Sequence, residues 1–174
     1  MTAADPSSTI VIRPARRDER AAAAEIAVAA FAALAAHIEP AERAVLFDRV
    51  RGSTTDPEPG EVIVAVANGR VVGTVVYNGP AAEQQHSLIP ADWAFFRALG
   101  VDAAWVGQGI GRRLVEDCIA RARRQGASSI GLYAADVNEI AVGLYRRMGF
   151  KEIGAAFPRL GIAYRVYGLE LYAV

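Results

Sequence analysis

Residues 107 to 111 read Gly-Gln-Gly-Ile-Gly, three glycines at alternate positions directly before an amphipathic run. Each glycine costs a helix roughly 1 kcal/mol relative to alanine, so the triplet implies a need for bare backbone. The first amides of a helix lack intrahelical partners, and the macrodipole gathers partial positive charge there. With no side chains in the way, a pyrophosphate can approach those amides closely. Anion binding is the chemistry this pattern suggests, and a tight structural turn is the plain alternative. Arg112 and Arg113 follow at once, either adding charge near phosphates or standing in solvent. The dinucleotide spacing G-x-G-x-x-G fails in both frames, because Arg112 and Leu114 occupy its last position. The phosphate-loop spacing fails as well, with Arg112 where its second glycine would be.

Such a loop needs a strand before it and a helix after it. Trp93 to Val101 is an almost continuous apolar run, as expected of a strand buried on both faces. Downstream, Ile110, Leu114, Val115, Cys118, Ile119 and Ala122 fall in steps of three and four, predicting an amphipathic helix that ends near Gly126. Nearer the start, Thr9 to Arg13 reads as a strand stopped by Pro14. An alanine-rich helix follows from about Asp18, with Ile26, Ala30 and Leu34 able to share a face, then a second helix with Pro40 in its first turn. "STTDPEPGE", residues 53 to 61, reads as a loop. Two β-branched runs around Asn68-Gly69 predict a hairpin. Residues 79 to 92 form a polar loop containing His86.

"SSIGLYAA" is a further strand, and "DVNEIAVGLYRRMGF" a helix with Ile140, Ala141, Leu144, Tyr145 and Met148 on one stripe. Asp136 and Glu139 have capping-box spacing at its start. Strands return at "FKEIGAAF" and "AYRVYGLELY", linked by Pro158 to Gly161. Residues 1–174 are expected to form one mixed α/β domain with a disordered start over residues 1–8.

Composition narrows the function classes. Lys plus Arg number 19 and Asp plus Glu 19, so no net charge steers the chain to nucleic acid or an anionic membrane. No apolar stretch approaches the roughly 20 residues of a membrane helix, and the first residues lack the pattern of a secretory signal. One cysteine, Cys118, excludes an internal disulfide, and with only His37 and His86 beside it a Cys/His metal cluster is not expected. Cys118 falls on a core stripe and reads as a small apolar residue rather than a nucleophile. A cytoplasmic setting is the default expectation.

"LGVDAAWVGQGIGRRLV" and, some way on, "NEIAVGLYRRMGF" together resemble the GNAT superfamily of N-acetyltransferases. The first segment is similar to that family's cofactor motif, R/Q-x-x-G-x-G/A, at Val106 to Gly111, with Val106 where Arg or Gln is common. The second matches at Asn138, Leu144-Tyr145 and Gly149-Phe150. The resemblance implies a central, mixed, mostly antiparallel and twisted sheet of about seven strands, splayed between the fourth and fifth and flanked by about four helices. It implies acetyl-CoA as cosubstrate and no metal. Val106, Gly107, Gln108, Gly109, Ile110, Gly111 and Arg112 would hold its pyrophosphate, mainly through main-chain amides. Leu99, Gly100 and Val101 would pair with the pantetheine arm as an added strand does, and one amide there would polarise the thioester carbonyl. Gly100 is also the residue that suits close backbone approach.

The resemblance further places Tyr145 beside the sulfur, where a phenol of pKa about 10 can protonate a thiolate of pKa about 8.5. A plain core role is the alternative for Tyr145. Asn138 would contact the pantetheine arm, helix capping being its rival reading, and the Asp136–Glu139 capping box would leave it free to do so. No general base stands on the fourth strand, whose charged member is Arg97, flanked by Asp92 and Asp102. Glu83, His86, His37 and Glu39 read as surface residues. The acceptor would be a primary amine of a small molecule or peptide, attacking directly in a ternary complex. It would enter between the first two helices and the loop at residues 158 to 161, near Phe31, Tyr164 and Tyr167. No nucleic-acid or membrane partner is expected, and a homodimer is among the states the family allows. A noncatalytic acyl-CoA sensor or partner-binding module on the same fold, and a dinucleotide-dependent oxidoreductase, are the competing functions.

Overall fold

The structure, a computed structural model, describes residues 9–80 and 88–172. The expected disordered start and the polar-loop residues Glu83 and His86 lie outside the described residues. Seven strands form one sheet in the order β1-β2-β3-β4-β5-β7-β6. They are β1 (Val11–Pro14), β2 (Glu61–Ala67), β3 (Arg70–Asn78), β4 (Ala94–Val101), β5 (Ser129–Ala135), β6 (Lys151–Arg159) and β7 (Ile162–Glu170). Five helices accompany them: α1 (Arg20–Ala30), α2 (Ala32–Ala35), α3 (Pro40–Thr55), α4 (Ile110–Arg124) and α5 (Glu139–Arg147). All neighbouring strands are antiparallel except β4 and β5, which are parallel and pair only at Ala94 with Ile130 and Phe95 with Gly131. Beyond Phe95 the strands part, so the sheet is splayed between β4 and β5, where the family resemblance implies it.

Local chemistry accounts for most of these elements. Asn68 and Gly69 both take positive φ, 50° and 73°, which a two-residue hairpin turn between right-twisted strands requires. In α4 the residues Ile110, Leu114, Val115, Cys118, Ile119 and Ala122 are all buried against β3 and β4. Gly73 makes room for them, since a Cβ there would stand 2.8 Å from Ile110 Cγ2. One core therefore lies between the sheet and α4 with α5, and a second between the opposite face and α1, α2 and α3.

Four expectations need correction. The first helix is not continuous: it ends at Ala30 and restarts at Ala32, and its buried face is Ala23, Ala24 and Ala27, with Ala30 exposed and Ile26 half-buried. Small side chains let that helix lie tight on the sheet, so the apolar rhythm of larger residues is a poor guide. Ser53, Thr54 and Thr55 belong to α3 rather than to a loop, each hydroxyl bonding a carbonyl three or four residues back. Ile140 is 84% exposed and stands outside the buried stripe of α5, where Val142 and Tyr145 are the buried residues. The last turn is only Leu160 and Gly161, at φ 51° and 75°, so Pro158 and Arg159 end β6. No helix among the described residues is long and apolar enough to cross a membrane.

Candidate active site at the β4–β5 splay

The end of β4, the glycine loop and the start of α4 follow one another without a break. Asp102 anchors the passage: its amide donates to the Val72 carbonyl at 2.9 Å, and its carboxylate accepts from the Ala104 amide at 2.9 Å. A short 3-10 turn, Ala103–Trp105, then delivers the chain into the loop. Gly107 and Gly109 sit at φ 86° and 75°, a region that is costly for side chains with a Cβ. Gly109 is the N-cap of α4. The first i to i−4 bond runs from the Arg113 amide to the Gly109 carbonyl at 3.1 Å. The amides of Ile110, Gly111 and Arg112 thus precede the ladder and lack acceptors within the helix. A Cβ at Gly107 or Gly109 would meet nothing within 4 Å, so the loop is open to the outside.

The sequence-predicted residues divide into two groups here. Leu99, Val101, Ile110, Leu144 and Tyr145 share one apolar cluster. Gly111 stands in the same place, its would-be Cβ 3.6 Å from Leu144 Cδ2 and 3.8 Å from Val101 Cγ2. Val106, Gly107, Gln108 and Gly109 are exposed at the rim, Val106 at 64%. The arginine side chains are engaged elsewhere: Arg112 Nε donates to Glu116 at 2.8 Å, and Arg113 to the Ile10 carbonyl at 2.8 Å. Whatever the loop binds, those guanidiniums start out turned away from it.

Gly100 and Asn138 have structural tasks that differ from the sequence reading. A Cβ at Gly100 would lie 3.0 Å from both Ala27 Cα and the Ile26 carbonyl, so the backbone that closely approaches Gly100 is that of α1. The expected Asp136–Glu139 capping box is absent. Asn138 itself is the N-cap of α5, its Oδ1 accepting from the Ala141 amide at 3.4 Å, while Asp136 takes a forked bond from Arg165 Nε at 2.9 and 3.1 Å. Arg165 on β7 outcompetes the helix start for that carboxylate, because a guanidinium offers charge as well as donors.

Two features were not visible in the sequence. Between the pairs Thr74–Gly100 and Val76–Arg97, β3 advances two residues and β4 three, so β4 carries a bulge. Ala98, within it, has φ 53°, and nothing in an alanine codon position announces that. The bulge falls just past the last β4–β5 rung, so the β5-facing edge of the strand from Phe96 to Val101 has no partner strand among the described residues. Such an edge can pair with an extended ligand.

Tyr145 lies within the apolar cluster. Its ring packs edge-on to Phe96 at 5.7 Å and to Phe150 at 5.9 Å, and it is 5% exposed. Burial pushes its phenol above the ordinary value of 10, keeping the group protonated throughout the neutral range. Cys118 lies in the same cluster with no exposure, and burial likewise pushes its thiol up. That environment suits a packing residue and not a nucleophile. His37 and Glu39 are exposed near the α2–α3 junction. Phe31, Tyr164 and Phe157 pack on the α1 face, and Tyr167 packs on the other, so Tyr167 does not join the expected acceptor opening.

Comparison with known proteins agrees with this architecture. The family profile described as Acetyltransferase (GNAT) family matches residues 16–150. A rat protein, N-acetyltransferase family 8 member 2, is 34% identical over 117 residues, covering 65% of this chain and 47% of the relative. N-alpha-acetyltransferase RimI of Mycobacterium tuberculosis is 36% identical over 76 residues, 44% of each chain. The chain thus spans about half the length or less of these curated relatives. A solved Salmonella typhimurium structure, the putative acetyltransferase yncA with its cofactor acetyl-CoA, superposes with a TM-score of 0.68 at 23% identity over 94% of both chains. A putative phosphinothricin N-acetyltransferase superposes with a TM-score of 0.67 at 21% identity, over 95% of this chain and all of that one. These last two show the fold alone. With the profile covering most of its length, the chain belongs to the acetyltransferase (GNAT) family.

Proposed function

We propose that the protein transfers an acetyl group from acetyl-CoA to a primary amine of a small molecule or peptide, by direct attack in a ternary complex. The observation that carries this reading is the β4–β5 pairing that stops after Phe95 and Gly131 and leads straight into a glycine-rich helix start. An extended ligand arm with a diphosphate at one end needs those two features in that order. The open space beyond Gly107 and Gly109 and the amides of Ile110, Gly111 and Arg112 suit the diphosphate. The freed edge of β4 near Leu99 and Val101 suits the arm. Acetyl-CoA would supply the acyl group as a thioester, already activated toward amines.

This chain's residues would then do three things. The strand edge and loop amides hold and aim the acyl donor, which lowers the entropy cost of attack. A backbone N–H of the Leu99–Val101 stretch would donate to an oxygen that gains negative charge. Tyr145 Oη keeps a proton available for the departing sulfur. On β4 the charged side chain is a cation, Arg97, and no base is assigned there.

An acceptor screen following free CoA thiol, paired with calorimetry of acetyl-CoA binding, tests the reading. Gly109→Glu should abolish acetyl-CoA binding, since it puts bulk and negative charge at the helix entrance. Its folding cost should be only about 1–2 kcal/mol for a side chain at positive φ. Unchanged affinity in that variant would remove the diphosphate assignment.

A further inference from the structure

The α1-facing side of the sheet carries a cation whose neighbours are all neutral. Arg97 pairs with Val76 two residues past the last β4–β5 rung. Its Nη1 donates to Asn78 Oδ1 at 2.5 Å and its Nη2 to the Pro57 carbonyl at 3.3 Å, and the guanidinium lies 5.9 Å from the Phe95 ring centroid. Burial alone pulls its pKa down, with no acidic group acting in the other direction. Arg13, Arg121 and Arg165, also partly buried, are matched by carboxylates, by Glu19, by Asp117 with Glu61, and by Asp136 with Glu152, whereas Arg20, Arg43 and Arg159 are not matched among the described residues. Among the described residues Arg97 has no such partner.

Counting donors sharpens the contrast. A guanidinium offers five N–H groups, and two of those on Arg97 are used. The Pro57 carbonyl already accepts from the Gly60 amide at 2.5 Å. Asn78, 1% exposed, has its Nδ2 buried without an acceptor. The cluster therefore holds a surplus of donors and a positive charge, and what it lacks is an anionic acceptor. A half-buried cation with no counter-charge is a cost to folding, so its presence beside the reaction strand calls for a ligand. The same face carries the ring series Tyr133, Phe157 and Tyr164, at centroid spacings of 5.8 and 6.2 Å, with Arg159 over Tyr164 at 5.6 Å. Rings beside two cations suit a molecule with one acidic end and one apolar body.

We infer that Arg97 receives a carboxylate of the acceptor, so that the substrate is an amine which also carries a carboxylate: an amino acid or a short peptide with a free C-terminus. Arg97 is then a specificity-determining residue, not a proton-transfer group. This rests on the acetyl-transfer reading above, and the two can fail separately.

The test uses amino acids and dipeptides, each beside its C-terminal amide, assayed by CoA thiol release and titrated calorimetrically into the CoA-loaded protein. Charge-assisted pairing predicts that the free acids exceed their amides by at least about tenfold in kcat/KM and in affinity. Arg97→Gln should erase that preference, Arg97→Lys should restore part of it, and acetyl-CoA affinity should be unchanged in both. The thermal midpoint of Arg97→Gln without ligand should equal or exceed that of the parent, because an unmatched charge has been removed. Equal handling of acids and amides by the parent would overturn the inference and leave acetyl transfer standing. So would a retained acid preference in Arg97→Gln, or a marked loss of stability there, which would assign the arginine to the fold. If no amine turns over, acetyl transfer fails, and the calorimetric acid-to-amide ratio still decides whether Arg97 binds carboxylate.

Discussion

At Tyr145 the burial that packs the ring also keeps the phenol protonated, so packing and the proposed proton donation are compatible. Tyr145→Phe keeps the ring contacts and removes only the hydroxyl. We expect turnover to fall about 10²–10⁴-fold, the usual span of general-acid help, with acetyl-CoA affinity nearly unchanged; equal turnover by steady-state kinetics would leave packing as its sole role. The pH profile adds a second check. With Arg97 as the charged residue on β4, the free amine must come from solution equilibrium. Hence kcat/KM should climb close to tenfold per pH unit until it reaches the pKa of the acceptor's own amine, about 8 for a peptide α-amino group. A plateau well below that amine's pKa would instead reveal a base. At this scale the sequence was legible where a residue's type answers a backbone need, as at Gly107 and Gly109. It misled where neighbours compete, as when Arg165 takes Asp136 and leaves Asn138 to cap α5.

Elements are held in place by a few contacts between distant ends. Glu19, 7% exposed, accepts from Arg13 at 2.8 Å through both oxygens and from the Arg16 amide at 2.8 Å, fastening the end of β1 to the start of α1. Chiefly through the Arg13 bond, its carboxyl is held down at about 2, against an ordinary 4.5. A lowered folded pKa gives stability that is complete above 4.5 and lost as pH falls toward 2. Chemical denaturation should show that decline, and Glu19→Gln should cost on the order of 2 kcal/mol at pH 7 and flatten it. Gly100→Ala would press a methyl to 3.0 Å from the α1 backbone. It should destabilise by roughly 1–3 kcal/mol, read as a shifted denaturant midpoint with the slope unchanged. The Asn68-Gly69 hairpin and α4 were plain in the sequence because turn type and periodicity are local signals. The β4 bulge and the tight seat of α1 were not, since both depend on what the strand and helix press against.

For the molecule as a whole, Cys118 offers a built-in reporter. It has no exposure and lies in the core shared by α4, α5 and the sheet. A thiol reagent should reach it only when the fold opens, so labelling should track unfolding. Saturating acetyl-CoA should slow labelling in proportion to ligand excess over Kd; rapid labelling of the folded protein would show that the core breathes locally. Exposed strand edges invite templated self-association. The periphery of this sheet is poor bait: β1 has four residues, while β6 carries Lys151, a register break between Ile153 and Phe157, and Pro158. The stretch of backbone most receptive to a new strand lies instead in the sheet's interior, between two diverging strands, where a neighbouring chain cannot slide alongside. With its open margin set inward, the fold leaves little flat strand edge at its periphery for a second copy to extend.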